Sequence, residues 1–203
     1  MQETLILAST SRYRAGLLAR LGLPFLTESP GVDEGALPRE SPRALASRLA
    51  RAKAEAVAHR HPGAWVLGSD QLAVRDGEVL GKPLDPQTCV AQLLGSSGRR
   101  VEFLTAACLL HAGDGTVLEH LDVTSVHFRR LGPAEIRRYV ELEEPLDCAG
   151  GFKCEGLGIA LFERIDSSDP TALVGLPLIW VAQALRKAGL DPLASAPVPP
   201  ARR

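Results

Sequence analysis

Apolar positions recur along this chain with two periods, and their alternation lays out the elements before any residue is given a chemical role. Short apolar runs at Leu5 to Leu7, Phe25 to Thr27 and Trp65 to Leu67 read as strands, each bounded by polar or glycine-containing segments. Helical stripes lie between them. Leu17, Leu18 and Leu21 share one face of a helix that starts near Ser11. Leu45, Leu49, Ala52 and Ala56 carry a second stripe from Ser41-Pro42, a helix-start signal, to about His59. The Trp65 strand is expected to end at Gly68-Ser69-Asp70-Gln71. After it, Leu72 to Val74, the turn Asp76-Gly77 and Val79-Leu80 predict a hairpin that leads into Gly81-Lys82-Pro83.

Asp85-Pro86 opens a third helix, with Val90, Leu93 and Leu94 as its inner face, and Gly95 to Gly98 break the pattern. Val101 to Leu110 and Val117 to Phe128 flank Gly113-Asp114-Gly115 and predict an antiparallel hairpin. Pro133 starts a helix that turns Ile136, Tyr139 and Val140 inward, Ile159 to Phe162 is strand-like, and a last helix runs from about Leu178 to Lys187. From Asp191 onward the chain is rich in Pro and Ala, so the tail, residues 194–203 above all, is expected to be disordered outside one folded unit of residues 1–193. No internal repeat interrupts this order. Helices alternating with strands and hairpins predict an α/β fold whose central sheet is mixed, parallel and antiparallel, with a site where polar loops gather at strand ends.

Composition narrows the partners. With 203 residues, 45% of them hydrophobic, the chain can bury a substantial core. Its 23 basic and 24 acidic residues give a net charge of -1, so no global field draws it to nucleic acid or to an anionic membrane. Any phosphate site must be a local cluster. The N-terminus has no basic-then-apolar signal pattern and no apolar run is long enough to span a bilayer, which predicts a soluble, cytoplasmic protein. Cys89, Cys108, Cys148 and Cys154 form no CxxC pair or familiar zinc spacing, and free thiols in a reducing compartment are expected. The five histidines are scattered and no HExxH occurs.

Three polar clusters punctuate the apolar runs: Ser9 to Arg14, Asp33-Glu34, and Ser69-Asp70-Gln71 followed by Lys82. The first places three hydroxyls and two arginines at a helix start, where unpaired N–H groups and the helix dipole favour an anion. Hydrolysis between phosphates needs a cation to bridge charged oxygens, carboxylates to hold it or to accept a proton from water, and Lys or Arg against developing charge. Asp70, Glu34, Lys53, Lys82 and Arg14 are the residue types that supply those groups. Each has a plain structural alternative: an Asp after a strand is commonly a turn former, and a Lys on a helix commonly faces solvent. Gly95 to Arg100 looks phosphate-friendly but lacks the P-loop order and reads as a turn. The glycines around Gly150-Gly151-Phe152-Lys153-Cys154-Glu155-Gly156 make either a flexible loop or a backbone that comes close to a planar ligand.

With these motifs in order, the chain closely resembles the Maf family of nucleoside triphosphate pyrophosphatases from about Thr4 to Leu193. The resemblance rests on Leu7-Ala8-Ser9-Thr10-Ser11 with Arg14, Val32-Asp33-Glu34, Lys53 within Arg51-Ala52-Lys53-Ala54, Gly68-Ser69-Asp70-Gln71, Gly81-Lys82-Pro83 and Gly175-Leu176-Pro177. It implies a long mixed sheet with a cleft between two lobes, of the Maf and inosine-triphosphatase type, and a homodimer. It also implies hydrolysis of a nucleoside triphosphate to monophosphate and pyrophosphate with a divalent cation, Mg, Mn or Co. By position, Asp70 matches the family's proton acceptor and Lys53 and Lys82 its catalytic lysines. Ser9 and Arg14 match phosphate-binding positions, and Glu34 with Asp70 the metal positions. Two departures stand out: Arg12 follows Ser11 where the family usually has Pro, and Ala15 follows Arg14 where a second Arg is common.

The Tyr13, Gln71 and Glu155 positions separate substrate branches in that family. This combination resembles the branch acting on 7-methyl-GTP. Methylation at N7 makes guanine cationic, which suits an aromatic face and a carboxylate that accepts from the base's N–H edge. The alternatives are a dTTP/UTP-type pyrophosphatase, and a nucleotide-binding regulator of septum formation whose hydrolysis is incidental.

Overall fold

The strands of residues 4–195, which the structure, a computed structural model, describes, join into one mixed sheet. They are β1 (Thr4–Ala8), β2 (Leu26–Thr27), β3 (Ala64–Arg75), β4 (Glu78–Leu80), β5 (Arg100–His111), β6 (Thr116–Phe128) and β7 (Phe162–Asp166). Their spatial order is β2-β1-β3-β5-β6-β7, with β4 paired to β3 off that path. β1 runs parallel to β2 and β3, and every other pairing is antiparallel. The helices are α1 (Arg12–Ala19), α2 (Pro42–Ala58), α3 (Pro86–Ser96), α4 (Pro133–Glu143), α5 (Leu178–Lys187) and the short α6 (Pro192–Ser195). The fold class read from the sequence therefore holds. No helix among the described residues is long and apolar enough to cross a membrane.

Strand side chains alternate between faces, and that alternation divides the core. Ile6, Ala8, Ala64, Val66, Leu104, Ala106 and Cys108 pack on α2. On the opposite face, Leu5, Leu7, Trp65, Leu67, Ala107 and Leu109 pack on α1 and α5. Farther along that second face, Ala73, Val101, Phe103, Val126 and Phe128 form a separate cluster with α3, α4 and Phe152. Between these two clusters the same alternation puts Ser69, Gln71, Thr105, Asp122 and Thr124, so a polar seam separates two apolar lobes. In the ladder Gln71 stands opposite Thr105, and Thr105 opposite Asp122.

α2 lies unusually close to β3. Ala46, Ala50, Ala54 and Ala58 recur every four residues and are 0–1% exposed, leaving no side-chain bulk at the contact. Gly68 completes it: a Cβ there would sit 2.1 Å from the Ala50 carbonyl oxygen. This explains why β3 does not stop at Gly68 as expected but runs on to Arg75, 12 residues in all. The glycine marks close approach of a helix, and β5 pairs with every residue from Gly68 to Val74, so the polar stretch stays in the ladder.

Other boundaries also move. α3 continues through Gly95 to Ser96, because the Arg75 guanidinium fills the place of the missing side chain, where a Cβ would meet Nη1 at 2.6 Å. Its inner face is Cys89, Leu93 and Ser96, while Leu94 is 39% exposed. Residues Leu157–Leu161 form a 3-10 turn, not a strand, and β7 begins only at Phe162. Gly158 forces that turn, since a Cβ there would lie 2.3 Å from the Lys153 carbonyl oxygen. Gly150 and Gly151 adopt φ of 76° and 73° with Phe103 and Cys89 packed against them, so the glycine segment is a built turn. The tail expected to begin at Asp191 starts with α6, and residues 196–203 lie outside the described residues. All four cysteines are free thiols.

Candidate active site

β1 delivers the chain into a tight turn at Ser9 to Ser11, where α1 begins. The Ser9 hydroxyl accepts the Ser11 N–H at 3.1 Å and the Ser11 hydroxyl accepts the Arg14 N–H at 3.4 Å as N-cap. These two bonds leave the Thr10, Arg12 and Tyr13 N–H groups without a protein acceptor among the described residues. Arg14 donates from Nε to the Gly175 carbonyl at 3.1 Å, which fixes the plane of its guanidinium. Burial lowers the Arg14 pKa, while the charges of Asp70 and Glu34 raise it.

Across the cleft, α2 and β3 hold the most constrained charges. Lys53 Nζ lies 2.7 Å from Asp70 Oδ1 and 2.5 Å from Glu34 Oε1. Lys53 is 5% exposed and Asp70 6%, so neither the solvent-facing lysine nor the turn-forming aspartate describes them. Asp70 sits in mid-strand on the face turned to α2, two residues beyond the close contact at Gly68. Glu34 reaches in from the loop before α2, and Lys53 holds its carboxyl below the usual range, chiefly by their hydrogen bond; burial opposes this, and the Lys53 charge adds a smaller lowering effect. Lys82, in the turn after β4, adds its charge to the same carboxylate from the opposite wall.

These groups line a cleft of about 950 Å³ whose walls include Ser9, Tyr13, Arg14, Glu34, Lys53, Asp70, Gln71 and Lys82. A smaller recess of about 120 Å³ opens from it through Ser11, Tyr13, Arg14, Gln71, Lys82 and Asp147, and ends at Cys148, Phe152, Cys154 and Glu155. All nine residues singled out from the sequence thus border one composite cavity. Gly98, Arg99 and Arg100 border neither part.

On the side of the larger cleft, Arg12 Cζ lies 4.9 Å from the centroid of the Tyr13 ring and Nη2 donates to the Tyr13 hydroxyl at 2.9 Å. One face of that ring is already covered by a cation. Gln71 donates from Nε2 to Thr105 Oγ1 and to the carbonyls of Ala172 and Leu173, at 2.9–3.1 Å. Glu155 is exposed beside Cys154, whose thiol donates to it at 3.4 Å. Sequence reading did not single out Thr105, Asp147 or the carbonyl of Gly175, which accepts from both Arg14 and Ser69. The Gly175-Leu176-Pro177 motif was visible, and φ of 123° at Gly175 is its physical requirement, but a carbonyl has no signature in sequence.

As a cation site, the convergence of Glu34 and Asp70 on one ammonium group is informative. Two hard oxygen donors around one positive centre fit a magnesium-type ion that completes its shell with phosphate oxygens and water. Among the described residues no group of three or more His, Cys, Asp or Glu forms a full protein cage.

Comparison with known proteins places this geometry among relatives. A family model described as Maf-like protein matches residues 4–188. A 7-methyl-GTP pyrophosphatase of Xanthomonas campestris pv. campestris is 59% identical over 191 residues, 94% of this chain and 99% of that one. Proteins of the same name from Alcanivorax borkumensis and Pseudomonas aeruginosa are 50% and 49% identical, over 93% and 92% of this chain and 95% and 97% of theirs. The Staphylococcus aureus Ham1 protein matches in structure with a TM-score of 0.52 at 15% identity, covering 92% of this chain and all of that one, which is a likeness of fold.

Proposed function

The chain belongs to the Maf family, and from that premise we propose that it hydrolyses 7-methyl-GTP to the monophosphate and pyrophosphate. The observation that carries the reading is the joining of a buried carboxylate–ammonium cluster to an aromatic and acidic recess through Tyr13, Arg14 and Gln71. A triphosphate and a cationic base need those two surroundings side by side. The relatives named 7-methyl-GTP pyrophosphatase, 49–59% identical over nearly the whole chain, support it.

In this reading the triphosphate lies in the larger cleft. Arg14, Lys82, Ser9 and the free N–H groups at the start of α1 grip its oxygens. Water adds at phosphorus across the α–β anhydride, the bridging P–O bond breaks with pyrophosphate as the leaving group, and Asp70 takes the proton. Lys53 holds the Asp70 carboxylate in place. Glu34 and Asp70 would hold a divalent cation, whose chemistry is to neutralise phosphate charge and acidify water. In the recess, Glu155 accepts from the N–H edge of guanine and Tyr13 stacks with its uncovered face.

The test is a substrate panel. Pyrophosphate release from 7-methyl-GTP, GTP, UTP and dTTP is measured as kcat/KM with Mg, Mn and Co, for the parent protein and Glu155→Gln. The parent is expected to prefer 7-methyl-GTP. Exchanging one acceptor oxygen for a donor removes a charge-assisted bond, so the preference over UTP falls about tenfold to a hundredfold. A parent that prefers UTP or dTTP overturns the assignment.

A further inference from the structure

Besides Asp70, two carboxylates among the described residues are buried: Asp122 at 2% exposure and Asp169 at 3%. The chemistry above uses neither. Both hold residues 167–176, a strap laid over the polar seam of the sheet. Asp122 accepts the Ser168 hydroxyl at 2.6 Å, and the Thr124 and Ser167 hydroxyls pair at 2.9 Å. Asp169 accepts the Thr171 N–H at 2.9 Å, the Thr171 hydroxyl at 2.6 Å and the Ile179 N–H of α5 at 2.7 Å. The Thr171 hydroxyl in turn accepts the Leu178 N–H at 2.9 Å. Asp169 and Thr171 therefore cap α5 from outside the helix, whose own N-cap, Pro177, has no side-chain hydrogen bond.

The strap's carbonyls face the site. Ala172 and Leu173 accept from Gln71, and Gly175 accepts from Arg14 and Ser69. Thr105 donates to the Ala172 carbonyl at 2.9 Å, so its oxygen is left to accept from Gln71. With Nε2 committed to this wall, Gln71 Oε1 has no protein donor among the described residues, on a side chain that lines both parts of the cavity. The amide is oriented to offer an acceptor, as a donor-edged base requires.

We propose that Asp169 is a positioning residue: by clamping the 167–176 strap to α5 it sets the carbonyls that orient Arg14 and fix which end of Gln71 meets the base. The inference rests on the reading of Tyr13, Gln71 and Glu155 as the base recess. Three donors share two carboxylate oxygens at Asp169, so Asp169→Asn turns an amide toward at least one of them and frees the strap.

The test measures kcat/KM for 7-methyl-GTP and UTP alongside the melting curve, for Asp169→Asn, Thr171→Val and Thr171→Ser. For Asp169→Asn, still folded at the assay temperature, kcat/KM falls about tenfold to a hundredfold through misplaced contacts. The preference between the two substrates shrinks several-fold as well. Thr171→Ser keeps the hydroxyl and behaves as the parent, whereas Thr171→Val follows Asp169→Asn. A purely structural role predicts otherwise, and overturns the proposal: both substrates decline in step with the folded fraction and their ratio stays at the parent's value. Where Asp169→Asn does not fold, the Thr171 pair decides by the same ratio. A parent that prefers UTP sinks the 7-methyl-GTP reading alone, because the strap is judged on the change in whichever preference the parent has.

Discussion

At the phosphate end of the cleft the central ion pair, Lys53 and Asp70, is buried and carried by regular elements, whereas at the base end the charges of Arg12, Asp147 and Glu155 are exposed, two of them in turns. Lys53 and Asp70 sit on α2 and β3 at 5% and 6% exposure. Arg12 and Asp147 are 3.8 Å apart with side chains 74% and 58% exposed, and Glu155 stands in a turn. A buried ion pair is strong only because its geometry is fixed, and breaking one partner leaves an uncompensated charge. Exposed pairs contribute little and tolerate exchange. The contrast teaches that the two ends answer to substitution differently: the first in rate, the second in choice of substrate.

The severest test of that division is Asp70→Asn. It preserves shape, removes the proton acceptor and leaves Lys53 with only the exposed Glu34 as a charged partner. Pyrophosphate release is expected to fall about 10² to 10⁴-fold for all four substrates alike, with their ratios unchanged. A variant that is folded and near parental in rate removes Asp70 from the chemistry.

Arg14→Lys comes next. An ammonium cannot reproduce a guanidinium that donates from Nε to the Gly175 carbonyl while its side chain lines the cleft. About a tenfold to hundredfold loss in kcat/KM is expected, shared by every substrate, on the scale of misplaced contacts. Tyr13→Ala, one residue away on the same turn of α1, should instead weaken 7-methyl-GTP more than GTP, because only the methylated base carries the charge that strengthens stacking. Since Arg12 already covers one ring face, that difference is expected to stay near fivefold, about 1 kcal/mol. Equal losses for the two substrates in Tyr13→Ala would merge the two ends into one.

The same contrast explains what was legible in the sequence. Hydrophobic period, proline starts and the Asp76-Gly77 turn announced the helices and hairpins, because local rules govern them. The residues of the phosphate end were legible because they break apolar patterns: three hydroxyls after Leu7, an aspartate after Leu67. Their burial was not, since it follows from Gly68 meeting the alanine row of α2, a contact between segments far apart in the chain. A glycine inside a strand and one inside a helix were both read as breaks, although each accommodates a neighbour. The seam of Gln71, Thr105 and Asp122 was hidden for a related reason. Each lies singly in its own strand, and only the register lines them up. At the base end the glycine segment around Glu155 was visible as a place where backbone could approach a planar ligand, but no local rule gave Tyr13 or Glu155 a role, which came only with the resemblance to a family.

Glu34 bridges the two classes and gives the smallest and most discriminating effect. It is carried by a loop and its side chain is 60% exposed, yet it touches the buried ammonium of Lys53. Lys53 depresses the Glu34 pKa, so the pair's contribution to stability is fully present above the ordinary glutamate value of about 4.3 and is lost as pH falls through the lowered folded value. Glu34→Gln leaves Lys53 its bond to Asp70, so no buried charge is stranded. Its cost at neutral pH is therefore that of an exposed pair, below about 1 kcal/mol, or about 2–4 °C in Tm. Melting curves of parent and variant from about pH 7 to about pH 3 should differ by this amount at the start and converge toward the acid end. Activity should follow a different course. If Glu34 helps hold the cation, Glu34→Gln raises the concentration of Mg or Mn needed for half-maximal rate across the whole pH range while the melting gap closes only in acid. Curves that keep their separation in acid would mean that Glu34 stabilises the fold by something other than its charge, and an unchanged metal requirement would leave it a loop-fastening residue outside the chemistry.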